Sequence, residues 1–123
     1  MRRGGDRIAL GKQGERLARD YFEREGYAIV AQNWRGRGGE IDLVAAKNGT
    51  IVFVEVRSRR DTGTFGTPEE SVDYRKQRKV RQTAERFLLQ TGRQDADVRF
   101  DVVSVTFRTD GTLLSFEHIP GAF

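Results

Sequence analysis

The chain has 123 residues, 37% of them apolar and 33% charged, with a net charge of +4 and no cysteine. That length and apolar fraction set the expectation of one domain with a single modest core. The missing cysteine excludes a disulfide framework and a thiolate metal site, no run of about 18 apolar residues offers a membrane span, and the basic start Met1–Asp6 leads into no apolar stretch, so it does not read as a signal peptide.

A cytoplasmic setting is expected. The basic residues cluster, which suits contact with nucleic-acid phosphates; plain solubility is the bland alternative.

Residues 7–25 read as a helix, because Ile8, Leu10, Gly14, Leu17, Ala18, Tyr21 and Phe22 recur near the helical period. Gly26 stands where a C′ glycine belongs. Tyr27–Ala31 is β-prone and short, and Asn33–Gly39 reads as a glycine-rich basic loop. Glu40–Ala46 and Thr50–Arg57 are both strand-like, and Asn48-Gly49 between them is a strong signal for a type I′ hairpin turn. A polar loop follows. Thr67-Pro68-Glu69-Glu70 then predicts a helix start, with Thr67 as N-cap, Pro68 at the first position and Glu70 closing a capping box. That helix runs to about Gln90 on an apolar face of Val72, Val80, Ala84, Phe87 and Leu88, and Gly92 ends it. Val98–Phe107 and Leu113–Ile119 read as strands around an Asp110-Gly111 turn. The order predicts a mixed sheet with helices packed on it.

A two-residue Asn48-Gly49 turn fixes the hairpin register. Ile41/Val56, Leu43/Val54 and Ala45/Val52 then share an apolar face that must be buried. The other face carries Ala46/Ile51 and Val44/Phe53, then Asp42/Glu55 and Glu40/Arg57 at its far end. Carboxylates placed directly opposite each other are destabilising and raise each other's pKa unless a cation lies between them. A hard divalent ion such as Mg²⁺ or Mn²⁺ resolves the conflict. The bland alternative is a half-exposed hairpin end, with Glu40–Arg57 an ordinary cross-strand ion pair, and a bulge would break the register altogether.

Several short motifs stand in order along the chain: Gly11-x-x-Gly14-Glu15, Asn33-Trp34-Arg35, Gly39-Glu40-Ile41-Asp42-Leu43, Phe53-Val54-Glu55-Val56-Arg57-Ser58-Arg59, Phe65-Gly66, Lys76, Arg99-Phe100-Asp101-Val102 and His118-Ile119. In these the chain resembles the YraN-like family, which in turn is similar to the PD-(D/E)XK nucleases and the archaeal Holliday-junction resolvases. The resemblance implies a restriction-endonuclease-like αβββαβ core, an α/β fold with a mixed sheet flanked by helices. It implies that Asp42 and Glu55 bind metal and that Glu15 completes the site from the first helix. Arg57 stands where that superfamily's E-x-K motif has lysine. Arginine stays protonated and cannot serve as a base, but it can stabilise charge on a phosphate. Resolvase-like enzymes act as dimers, so the resemblance also implies a homodimer, although no sequence feature marks its surface.

The remaining candidates divide by position. Glu15 shares a helical stripe with Gly11, Ala18 and Phe22, and its bland role is an i,i+4 pair with Arg19. Arg75, Lys76, Arg78, Lys79 and Arg81 crowd the second helix, as a solvated face often does, but Lys76 lies on the Val72–Val80–Phe87 side and can reach the site. Arg35, Arg37, Arg59 and Arg60, with Arg75 and Lys79, are the candidates for tracking a nucleic-acid backbone. Trp34 is either a base-stacking residue or core. His118 reads as structural, and Asp101 as an ion-pair partner first. The resulting expectation is a Mg²⁺- or Mn²⁺-dependent endonuclease acting on DNA, including branched or flapped forms. The rival is a non-catalytic nucleic-acid-binding module with a degenerate site, which Arg57 favours.

Overall fold

The computed structural model describes residues 3–61 and 72–123, with side chains from Ile8 onward. In chain order the described residues form α1 (Arg3–Arg24), β1 (Ala28–Gly36), β2 (Gly39–Lys47), β3 (Thr50–Arg60), α2 (Tyr74–Gln90), β4 (Asp97–Phe107) and β5 (Leu113–Ile119). The strands make one sheet in the order β1-β2-β3-β4-β5. Neighbours are antiparallel except β3 and β4, which run parallel with α2 as their crossover. This is the expected α/β architecture, consistent with a restriction-endonuclease-like core and extended by β5 at the edge.

The first helix stops where its sequence says it should. Gly26 adopts φ +91, which a side chain resists. Its N–H donates to the Glu23 carbonyl at 3.1 Å, while Tyr27 N–H donates to Phe22 O at 2.9 Å. The Tyr27 and Phe22 rings meet edge-on at 4.9 Å, the apolar contact that completes a Schellman end.

The β2–β3 turn also forms as the sequence predicts. Asn48 and Gly49 have φ of +52 and +82, as type I′ demands. Lys47↔Thr50, Ala46↔Ile51, Ala45↔Val52, Val44↔Phe53 and Leu43↔Val54 all pair in the expected register. That ladder ends at Leu43↔Val54. Below it β2 leaves β3 and continues beside β1 alone, through Trp34↔Ile41, Arg35↔Glu40 and Gly36↔Gly39.

Three expectations need correction. β1 does not stop at Ala31: Asn33–Gly36 belong to the strand, and only Arg37-Gly38 form the turn. The reason is tertiary, because Trp34 packs edge-on against Phe87 of α2 at 5.3 Å and is core rather than a free stacking ring. Ile41 does not share the Leu43 face. It joins Val44 and Phe53 under α2, because β2 twists away from β3 at this point. The predicted helix does not run unbroken to Gln90: Val72 and Asp73 are non-helical, and α2 begins at Tyr74, with Asp73 Oδ1 accepting from Lys76 N–H at 2.9 Å as its cap. The Thr67–Glu70 start signal and Phe65-Gly66 lie outside the described residues.

Each face of the sheet is covered by one helix. Leu10, Ala18 and Phe22 of α1 pack on Leu43, Ala45, Val52, Val54, Val103, Val105 and Phe107. Val80, Ala84 and Phe87 of α2 pack on Ile41, Val44, Ile51, Phe53 and Phe100. A buried Leu, Val or Phe side chain contributes about 1.5–3 kcal/mol, so these two layers supply most of the fold's stability. No helix among the described residues is long and apolar enough to cross a membrane.

Candidate active site

The place where β2 parts from β3 is where the acids collect. Asp42 immediately precedes Leu43, the first β2 residue of the ladder, and its carboxylate takes over a main-chain role: Oδ2 accepts the Val56 N–H at 2.8 Å. The sequence-predicted Asp42/Glu55 ladder pair therefore does not form as a pair of strands. The two carboxylates are nevertheless electrostatic neighbours. Burial pushes the Asp42 carboxyl up to about 7, with Glu55 beside it, and Glu15 and Glu40 farther off, adding to the effect; the Val56 hydrogen bond works against it. Glu55 is 4% exposed. Burial raises its pKa too, opposed by Lys76 and Arg57.

Lys76 and Arg57 share one oxygen. Lys76 Nζ is 3.3 Å and Arg57 Nη1 3.7 Å from Glu55 Oε2. Lys76 reaches it from the first turn of α2, which the Asp73 cap orients. Arg57 lies on the same strand as Glu55, two residues on, so its side chain falls on the same face. The expected Glu40–Arg57 pair is absent. Glu40 instead lies 3.9 Å from Arg35 across the β1–β2 ladder, because β2 has already left β3.

Glu15 joins the group through Asn33. Asn33 Nδ2 donates to Glu15 Oε1 at 3.1 Å and to Glu40 Oε2 at 3.4 Å. Arg19, its anticipated helical partner, pairs with Glu23 instead at 3.7 Å. Asn33 has φ +47 inside a strand, a conformation asparagine tolerates better than other side chains and one that clusters at functional positions. Sequence reasoning gave Asn33 no role. The signal available was its place in the Asn33-Trp34-Arg35 motif, but the positive φ was invisible.

A cleft of about 370 Å³ opens beside Glu15, between α1 and the end of β3, lined by Gly11, Glu15, Val56, Arg57, Ser58 and Arg59. Its wall holds a buried hydroxyl, Ser58 Oγ, with no hydrogen-bond partner among the described residues. Ser58 also touches α1: a Cβ at Gly14 would run into its Oγ. Gly39 relates in the same way to Thr83 of α2. Each helix is thus seated on the sheet through a glycine that immediately precedes an acid, Glu15 or Glu40.

The donor set suits a hard divalent cation of the Mg²⁺ type. Such ions keep several waters and use one or two carboxylates plus substrate phosphate. Asp42, half-buried, and Glu55, buried, are the two carboxylates, both disfavouring the charge they would carry without a cation. Among the described residues no three acidic, histidine or cysteine side chains close into a cage. Glu15, bound to Asn33, stands at the cleft rather than as a third ligand in place.

The remaining predicted residues scatter. Arg35 and Arg37 are exposed on the β1–β2 hairpin and Arg59 lines the cleft. Arg60 is turned away, its Nη1 3.4 and 3.3 Å from the carbonyls of Arg108 and Thr109. Arg75 and Lys79 are exposed on α2. His118 has the partners the sequence could not place: Nε2 lies 2.7 Å from Asp101 Oδ2, and Nδ1 lies 2.8 Å from Tyr21 Oη. Asp101 is fully buried and also accepts from Arg99 Nε and Nη2, both at 2.8 Å, and from Gly121 N–H at 3.0 Å.

The family model described as "Uncharacterised protein family UPF0102" matches residues 14–105. The chain is 47% identical to a UPF0102 protein of Geobacter metallireducens, over 94% of this chain and 92% of that one. It is 50% identical to one of Persephonella marina, over 77% and 81% of the two chains, and 45% identical to one of Rhodococcus jostii, over 94% and 97%. The match takes in Glu15, Asp42, Glu55, Arg57 and Lys76.

Proposed function

This chain belongs to the uncharacterised protein family UPF0102, and from that premise and the cleft at the strand split we propose a divalent-metal-dependent endonuclease that hydrolyses DNA phosphodiesters. The observation that carries this reading is the closely coupled pair of half-buried Asp42 and buried Glu55. Two carboxylates held under protein, both with raised pKa, are unfavourable for folding and need a reason. A hard cation together with a phosphate supplies one.

A Mg²⁺ or Mn²⁺ held there supplies Lewis-acid polarisation of the phosphoryl oxygen and a more acidic water. The side chains divide the remaining work. Asp42, fixed by Val56 N–H, and Glu55 hold the cation. Arg57 cannot lose its proton, so it serves as a fixed positive charge for the phosphate as negative charge builds on it. Lys76 shares the same Glu55 oxygen and, unlike arginine, can orient water and exchange a proton with it. It therefore stands in for the lysine that the E-x-K motif lacks here. Glu15, held by Asn33, orients water on the open side of the cleft.

The rival is a nucleic-acid-binding module whose site has lost chemistry, and Arg57 in the lysine position is what favours it. A cleavage assay on junction, flap, single-stranded and duplex DNA with Mg²⁺ and Mn²⁺, against Asp42→Ala/Glu55→Ala, separates the two. Cleavage by the parent chain alone, with calorimetric Mn²⁺ binding lost in the double variant, supports the endonuclease. Neither binding nor cleavage would leave the rival standing.

A further inference from the structure

The second helix carries a dense excess of positive charge, six cations in 17 residues. Arg75, Lys76, Arg78, Lys79, Arg81 and Arg86 face a single acid, Glu85, on a chain whose net charge is only +4. Two of these cations are occupied inward or sideways. Lys76 is on Glu55, and Arg81 lies over the Phe100 and Phe123 rings at 4.7 and 5.7 Å. Arg75, Arg78 and Lys79 point outward, and among the described residues none has an acidic partner within ion-pair distance. They are neighbours at i,i+3 and i,i+4, where like charges repel. No acid occupies the first turn, where the helix dipole would favour one. Helix stability alone does not account for this arrangement.

Tyr74 adds a second, independent feature. It is 74% exposed, an unusual setting for an aromatic ring on a helix. The Arg78 guanidinium lies over one face at 6.0 Å. Tyr74, Arg75, Arg78, Lys79 and Gln82 together line a shallow groove of about 250 Å³. A ring beside three outward-facing cations is the combination that holds a single strand: the ring stacks a base on its other face, and the cations follow the phosphates. A base inside a duplex has both faces covered and cannot use the ring.

We infer that the outer face of the first two turns of α2 binds an unpaired DNA strand, with one base stacked on Tyr74 and the backbone along Arg75, Arg78 and Lys79. Lys76, next to Arg75 in the same turn, lies 3.3 Å from Glu55, so a strand held on this turn lies beside the proposed cutting site; only this placement rests on the endonuclease reading. The substrate class that follows is DNA with a single-stranded arm beside the scissile bond, in preference to blunt duplex.

The test is fluorescence anisotropy of labelled oligo(dT) of about 20 nucleotides and of a blunt duplex of equal length, on the full chain and on Asp42→Ala, in EDTA so that nothing is cut. Tyr74→Ala weakens oligo(dT) binding about tenfold and leaves duplex binding unchanged, whereas Tyr74→Phe keeps the parent affinity. Arg75→Gln/Arg78→Gln/Lys79→Gln lowers the salt dependence of oligo(dT) binding by about 2 in log–log slope. Unchanged oligo(dT) binding by Tyr74→Ala, or equal losses in Tyr74→Ala and Tyr74→Phe, overturns the inference. If the parent chain never cuts DNA but this binding pattern holds, the endonuclease reading falls and the inference stands. Cleavage that ignores Tyr74, with binding that ignores it too, has the opposite result.

Discussion

Two groups of carboxylates removed from bulk water lie on one sheet and are treated oppositely. Asp101 on β4 is fully buried and has every lone pair claimed, by Arg99 twice, by His118 and by Gly121 N–H. Arg99 Nη2 is anchored in turn to Tyr27 Oη at 2.9 Å, and His118 to Tyr21 Oη. Burial alone would raise the Asp101 pKa, but Arg99, His118 and Gly121 together hold it below the ordinary carboxylate value. Asp42 and Glu55, on the neighbouring strands, accept less and crowd each other, so both pKa values rise. The first set is a finished network that ties α1, β4 and β5 together. The second is left incomplete, which is how a site differs from a scaffold made of the same residue type.

Breaking the finished network should have the largest effect. Asp101→Ala leaves Arg99 and His118 facing a buried gap, and the expected loss is roughly 3 kcal/mol in denaturant unfolding, with activity lost only through the fold. The opposite sign is expected at the incomplete site. Asp42→Asn removes a charge that burial disfavours, while its amide oxygen can still accept from Val56 N–H. In metal-free buffer at pH 8 it should gain roughly 1–3 kcal/mol and lose both cleavage and Mn²⁺-induced stabilisation. A variant less stable than the parent in EDTA would remove the contrast.

The two sets also predict different pH arms. Asp42 has a folded pKa of about 7 against 3.8 in the unfolded chain. The folded state therefore binds its proton more tightly. That contribution is complete below 3.8 and is lost as pH rises toward 7. Asp101 has a lowered folded pKa, so its contribution is complete above 3.8 and disappears as pH falls through that value. Thermal melts across pH should show both arms. Asp42→Asn should flatten the first, and Asp101→Asn the second. Smaller again, Gly14→Ala should cost about 1 kcal/mol through contact with Ser58 and be relieved by Ser58→Gly. The smallest effect is Arg35→Gln, whose exposed 3.9 Å contact with Glu40 contributes less than about 0.5 kcal/mol.

Much of this was legible in the sequence because local chemistry decides it. Gly26 closes α1, and Asn48-Gly49 fixes five strand pairs, since positive φ and a type I′ turn depend on a few neighbouring residues. The end of that ladder was not legible. Whether Glu55 pairs through its main chain or Val56 N–H is taken by Asp42 depends on β1 drawing β2 away, which depends on Trp34 finding Phe87. The same long-range contact turned an apparent loop at Asn33–Gly36 into strand. Glu55, Arg57 and Lys76 could be nominated from their spacing, but their convergence on a single carboxylate oxygen required the sheet and both helices. Asn33 could not be nominated at all, because its left-handed backbone follows from tertiary structure.

The two glycines under the helices give the fold a narrow clearance. α1 meets β3 where Gly14 faces Ser58, α2 meets β2 where Thr83 faces Gly39, and the cleft opens between α1 and β3. A single methyl group at Gly14 or Gly39 would act as a shim, lifting one helix and opening the gap between Glu15, Asp42 and Lys76 without touching any of them. Positions that look like packing therefore set the gauge of the chemistry. Drift there would detune the proposed site while every acid and base in it remained in the sequence.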